Sequence, residues 1–272
     1  MINKYALCIG INDYPGTNSD LSGCVNDAED WSTVFKQYGF SVQKLINQKA
    51  TRADILGTMK SIISSAKNGD SIAIQYSGHG TYIADENNDE TDGTDECICP
   101  YDIDKNGPIT DDELFDLFSS KVFGVKIVMF SDSCNSGTVT KFAPISTPPT
   151  IAGIKPPQRK VRFLPPATFL KQKEINKLGT SRIFRRTSPP GRHGSLLMSG
   201  CQDVEYSFDA VFENRPNGAF TFVALDTLKK LTPNNTYQDW HNAIRKVLPS
   251  QQYPQSPNLF GSRTMKKWKI LS

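Results

Sequence analysis

Two short stretches carry residue types that can break an amide bond. Residues 76–80 read Tyr76-Ser77-Gly78-His79-Gly80, and residues 131–137 read Ser131-Asp132-Ser133-Cys134-Asn135-Ser136-Gly137. A cysteine thiolate is the competent nucleophile of acyl transfer, and a nearby imidazole supplies the base. Cys134 and His79 are therefore the candidate pair. Each follows an apolar run of strand type, Ile72-Ala73-Ile74 for the histidine and Ile127-Val128-Met129-Phe130 for the cysteine. Glycines on both sides of His79 let another backbone approach it closely. A lone surface histidine usually does nothing, and a lone cysteine in a strand usually fills core. Both at equivalent strand ends, each among small residues, fit reaction chemistry better than either bland explanation.

The elements that must hold this pair can be read from periodicity. Strand-like runs at 4–11, 40–46, 71–77 and 125–130 alternate with helical segments at 26–38, 51–66 and 111–118. Ala28, Trp31, Val34 and Phe35 recur at helical spacing, as do Ile55, Met59, Ile62, Ile63 and Ala66. Thr51 and Thr110 stand where N-caps are needed. Residues 81–103 suggest a hairpin with an acidic tip. Farther on, 195–199 reads as a strand, 219–231 as a helix and 267–271 as an edge strand. Buried strands alternating with helices predict an α/β fold, a three-layer α/β/α sandwich with a mostly parallel central sheet. Sheets of this kind bind substrates at the carboxyl ends of their strands, where His79 and Cys134 fall.

Composition divides the chain. Residues 141–192 hold twelve Lys or Arg and one acid, Glu174, for a charge of +11. The whole chain is +3, so the remainder is −8. Nine of the seventeen prolines also lie in this segment. Proline removes backbone donors and like charges repel, so the segment is expected to be extended and poorly packed. The expected organisation is a large catalytic part (1–140), a basic Pro-rich insert (141–193) and a small part of the same domain (194–272). No apolar run reaches the roughly 18 residues of a membrane span, and the apolar start is too brief for a signal peptide. Six scattered cysteines suit a reducing cytoplasm. Cys97 and Cys99 read as core packing, and none of the three histidines has zinc-ligand spacing.

The two motifs together resemble those of metacaspases and their bacterial relatives, the orthocaspases. Gly23-Cys24-Val25-Asn26-Asp27-Ala28, Asp95-Glu96-Cys97-Ile98-Cys99-Pro100-Tyr101-Asp102 and Gly218-Ala219-Phe220-Thr221 agree with them. The resemblance covers 4–137 well, 194–272 more loosely, and barely touches the insert. The 55 residues from His79 to Cys134 also match the caspase spacing of about 50. The resemblance to metacaspases implies a caspase-like fold and a Cys134–His79 dyad, with the N–H groups of Gly80 and Cys134 stabilising the oxyanion. It also implies a pocket of Cys24, Asp27, Ser77 and Asp132 for the residue before the scissile bond. Carboxylates there would pair with Arg or Lys and repel Asp. Asp27 has a second explanation, as a helix-start acid stabilising the dipole. A calcium site would draw on Asp95, Asp111 and Asp112. The family's fourth aspartate is replaced here by Lys141, which would weaken or abolish the site unless its ammonium stands in for the ion.

The expected function is thus a monomeric cytoplasmic cysteine endopeptidase that cuts proteins after Arg or Lys and cuts its own insert. Self-cleavage is expected within 155–192, near Arg159-Lys160 or Arg185-Arg186, and not after Lys155, which precedes proline. The alternative is a silent caspase-like regulatory or aggregate-binding module. A nucleic-acid-binding arm fits poorly. The insert has only Phe142, Phe163, Phe169 and Phe184 to stack on bases, and the acidic body would repel a polyanion.

Overall fold

The computed structural model describes residues 2–85, 93–134, 159–178, 194–202 and 205–272. The first part runs β1 (Lys4–Gly10), α1 (Cys24–Gln37), β2 (Ser41–Ile46), α2 (Arg52–Ser65) and β3 (Ser71–Ser77). A hairpin follows, β4 (Gly80–Ala84) with β5 (Thr94–Ile98), then α3 (Ile103–Asn106), β6 (Ile109–Thr110), α4 (Asp111–Ser119) and β7 (Lys126–Asp132). The insert contributes β8 (Lys160–Val161) and α5 (Gln172–Leu178). The last part comprises β9 (Leu196–Ser199), β10 (Phe208–Phe212), β11 (Arg215–Gly218), α6 (Ala219–Leu228), α7 (Tyr237–Ile244), β12 (Asn258–Phe260) and α8 (Arg263–Lys266).

The central sheet has the order β12-β9-β7-β3-β1-β2. All its pairings are parallel except that of β12 with β9. Strand side chains alternate between two apolar clusters, as the two-residue period of a strand requires. Ala6, Cys8, Ala73, Val128, Phe130 and Met198 pack with Trp31 and Phe35 of α1, Phe220 of α6 and Trp240 of α7. Leu7, Ile9, Ile72, Ile74, Ile127 and Met129 pack with Ile55 and Met59 of α2 and Leu114 and Phe118 of α4. The expected three-layer α/β/α sandwich is the architecture found. Thr51 caps α2 through the Asp54 N–H, and Thr110 forms a capping box with Glu113. Cys97 and Cys99 are buried, as core packing predicts.

Two expectations need correction. Residues 267–271 form no edge strand. Leu271 has φ +51, outside the strand region, and only Lys269 bridges to Thr236. Ile270 and Leu271 instead close the core as buried residues. The insert is also not poorly packed throughout. Residues 159–178 lie against the body, and Arg162 and Leu164 are 0% exposed. The acidic tip at 86–92, Lys141, Lys155 and Arg185-Arg186 lie outside the described residues.

Candidate active site

β3 and β7 are neighbouring parallel strands with Ser77 opposite Asp132. His79 and Cys134 each lie two residues beyond that pair, so both leave the sheet at the same carboxyl edge. β7 runs farther than periodicity suggested, and this carries Asp132 into the ladder.

His79 is fixed from every side. Its N–H donates to Tyr14 Oη at 2.8 Å, and its carbonyl accepts from Tyr76 Oη at 2.6 Å and from the Cys99 N–H at 3.0 Å. The Tyr14 ring lies 4.7 Å from the imidazole. A Cβ on Gly78 would sit 2.5 Å from both tyrosine hydroxyls, so only glycine fits there. Nε2 lies 2.5 Å from the Ser19 carbonyl. A carbonyl only accepts, so Nε2 bears the proton and Nδ1 is the basic nitrogen. Nδ1 is buried with no hydrogen-bond partner among the described residues. Burial pushes the His79 pKa down to about 4, against the opposing influence of the Ser19 backbone. The ring is therefore neutral at pH 7 and able to take a proton.

Cys134 is buried, and its Sγ touches the Ser207 N–H. Its own N–H points at the insert. The Cys134 N–H and the Gly80 N–H both donate to the Arg162 carbonyl, at 3.2 and 3.0 Å. The Arg162 N–H donates to the Ser207 carbonyl at 3.0 Å. β8 pairs antiparallel with β10, Val161 opposite Phe208 and Lys160 opposite Asp209. On the other side the Leu164 N–H donates to the Gly80 carbonyl at 2.9 Å. The insert thus crosses the cleft as an extended strand between β10 and β4.

The Arg162 side chain enters an acidic pocket. Nη2 lies 2.7 Å from Asp27 Oδ2 and 2.9 Å from Asp209 Oδ1, and Nη1 lies 3.2 Å from Asp132 Oδ2. Each carboxylate is also held by the body. Asp132 accepts from Ser207 Oγ and from the Thr221 N–H and hydroxyl. Asp27 accepts from the Gly218 N–H and Asn217 Nδ2, and Asp209 accepts from the Ser22 and Gly23 N–H groups. A Cβ on Gly218 would overlap both the Asp132 carboxylate and the guanidinium, so pocket depth depends on that glycine. Burial pushes the Asp27 pKa up to about 6; Arg162 pulls it back, and Asp132 pushes it higher. Burial pulls the Arg162 pKa down, but Asp132, Asp27 and Asp209 outweigh it and hold it well above its ordinary value.

Of the residues expected in the pocket, Asp27 and Asp132 bind the guanidinium directly. Cys24 is buried close enough for its thiol to feel the Arg162 charge. Ser77 is buried and accepts from Gln75 Nε2. Sequence reasoning missed Asp209, Tyr14 and Ser19. Asp209 had a faint signal, an acid within the apolar run Phe208–Phe212; Ser19 acts through its backbone and had none. Asp95 lies on β5 and Asp111 and Asp112 in the first turn of α4, with Cys97 opposite Thr110 in the β5–β6 pairing. Among the described residues no group of three or more His, Cys, Asp or Glu could hold a metal ion.

Comparison with known proteins agrees with the geometry. The family model for the caspase domain matches residues 3–268. Metacaspase-1 of Mycosarcoma maydis is 30% identical over 95% of this chain and 70% of its own length. Metacaspase-1 of Saccharomyces cerevisiae is 30% identical over 95% of this chain and 66% of its own. A crystal structure of a Geobacter sulfurreducens protein superposes with TM-score 0.74 at 29% identity, covering 99% of this chain and 98% of that one. A caspase-type α/β/α sheet with a cysteine and a histidine at its carboxyl edge is the framework of a cysteine peptidase. The chain belongs to the caspase-domain family and is metacaspase-like within it.

Proposed function

We propose that this protein is a cysteine endopeptidase that cuts after Arg or Lys and folds with one of its own arginines in the cleft. The observation that carries this reading is Arg162. Its carbonyl accepts from the Gly80 and Cys134 N–H groups while its guanidinium meets Asp27, Asp132 and Asp209. A substrate arginine would be held in the same way. Neutral His79 takes the Cys134 proton on Nδ1, and the thiolate adds to the carbonyl carbon. The two N–H groups stabilise the oxyanion that forms, a term worth about 2.7–4 kcal/mol per donor. His79 returns the proton to the leaving amine as the peptide bond breaks. Water then adds to the acyl-enzyme with His79 again as base, releasing the new carboxylate and the thiol.

In this reading the self-cleaved bond is Arg162–Phe163. Arg159 and Lys160, in the neighbourhood expected from sequence, lie outside the acidic pocket. Arg159 sits over the Phe208 ring, and Lys160 Nζ bonds the Asp20 carbonyl. The protein works as a cytoplasmic monomer, and any calcium at Asp95, Asp111 and Asp112 is loosely held. Mass spectrometry of the wild type and of Cys134→Ala tests the proposal. A new C-terminus at Arg162 is expected in the wild type alone. Cuts after Asp, or the same fragments from both proteins, would refute it, and a wild type inert toward every Arg peptide would favour a silent regulatory module.

A further inference from the structure

We propose that the enzyme also reads the two residues after the scissile bond, selecting an aromatic and then a buried aliphatic side chain. This rests on the proposed function, since it takes Arg162–Phe163 as the bond presented to Cys134. The two sides of Arg162 are held differently. On the amino side Lys160 is exposed, and half-buried Val161 rests on the edge of the apolar cluster that includes Phe208 while its backbone pairs with β10. Backbone pairing accepts many side chains. On the carboxyl side Phe163 is half-buried against an aromatic ring and Leu164 is fully enclosed. The Phe163 ring lies parallel to Tyr82, with centroids 6.0 Å apart and planes at 12°. Leu164 is 0% exposed and belongs to the apolar cluster that includes Ile98, Cys99 and Ile109.

The backbone here is gripped as well. Gly80 bridges Phe163 in parallel register, the Leu164 N–H donates to the Gly80 carbonyl, and Thr81 Oγ1 donates to the Leu164 carbonyl at 2.7 Å. Thr81 is 0% exposed, so a substrate carbonyl at this position would satisfy a buried hydroxyl. Recognition then stops. Pro165 has no N–H to continue the pairing, and the chain turns into a 3-10 helix at Pro166–Thr168. The preferred peptide is therefore Arg or Lys, then an aromatic, then Leu or a similar aliphatic. Reporter substrates that end at the arginine lack both primed residues and are expected to be poor.

The test uses full-length protein, incubated to allow self-processing, and internally quenched peptides of residues 159–166. Variants carry Leu164→Gly, Phe163→Ala, Lys160→Ala or Arg162→Gln. Burial of a leucine predicts that Leu164→Gly lowers kcat/KM about tenfold or more. The stacked ring predicts a loss of about threefold or more for Phe163→Ala, and exposed Lys160 a change within about twofold. Arg162→Gln should not be cut. The enzyme variant Tyr82→Ala should slow the parent peptide but not its Phe163→Ala version, because the two changes remove one contact. If the primed variants are cut as fast as the parent while Arg162→Gln is refused, this inference fails and the Arg preference stands. If no peptide is cut, the peptidase reading fails, and this inference with it.

Discussion

Two groups of three aspartates invite comparison. Asp27, Asp132 and Asp209 come from α1, β7 and β10, far apart in sequence, and meet on one guanidinium. Asp95, Asp111 and Asp112 lie within one short stretch, yet among the described residues no metal-holding group forms there. Each member of the first group is oriented by donors of the body that remain when the guanidinium leaves. The site is thus shaped before its ligand arrives, which lowers the cost of binding. Asp111 and Asp112 have another task, as first-turn acids of α4 beside its capping box. What sets the first group apart is the convergence of three oriented carboxylates on one cation.

The comparison breaks most directly by neutralising one acid from each group. Asp132→Asn or Asp27→Asn leaves an incoming guanidinium short of a buried partner, a loss of about 3–5 kcal/mol. A fall of at least a hundredfold in kcat/KM for Arg peptides is expected, against about twofold or less for Asp112→Asn. Equal losses in the two groups would mean that the second is also part of the site.

A smaller effect sharpens the electrostatics of the first group. Asp27 titrates near 6 with Arg162 in place, and Arg162 lowers that value. With Arg162 out of the pocket that lowering influence is lost, while burial and Asp132 still favour the protonated acid. Protonation removes negative charge, so kcat/KM for Arg peptides should fall as pH drops through the range where Asp27 titrates. Asp27→Asn should abolish that limb. His79 does not supply it in the closed form, because burial keeps the ring neutral down to about 4. A limb of unchanged position in Asp27→Asn would assign it elsewhere.

The weakest effect concerns calcium. Calorimetry on the full-length protein should find a dissociation constant no tighter than about 10⁻⁴–10⁻³ M, the loose end of the range for this cation. Micromolar binding lost in Asp112→Asn would overturn the contrast between the two groups.

Much of this was legible in the sequence because it depends on local pattern. Strand and helix periods place His79 and Cys134 on one sheet edge, and the resemblance to metacaspases pairs Asp27 with Asp132. Periodicity could not see Asp209 converge on the pocket, because its place there is set by long-range partners, Gly218 opposite it on β11 and the Ser22 and Gly23 N–H groups that it accepts from. Nor could it choose Arg162 among twelve basic residues. Charge and proline content describe the insert as a whole, whereas burial of Arg162 and Leu164 depends on the body beneath them. The misread end at 267–271 has the same origin: apolar residues that plug a core through a left-handed turn look like a strand in one dimension.

β7 and β9 lie side by side in the sheet, with Val128 opposite Leu196 and Ser131 opposite Ser199, although the chain between them passes through the cleft. A break after Arg162 severs that passage and leaves every rung between the two strands in place. The product is a noncovalent heterodimer of residues 1–162 and 163–272. Its unfolding releases two molecules instead of one, so mass action makes its stability depend on protein concentration. The intact chain should melt at the same temperature at any dilution, while the cut form should melt lower as it is diluted.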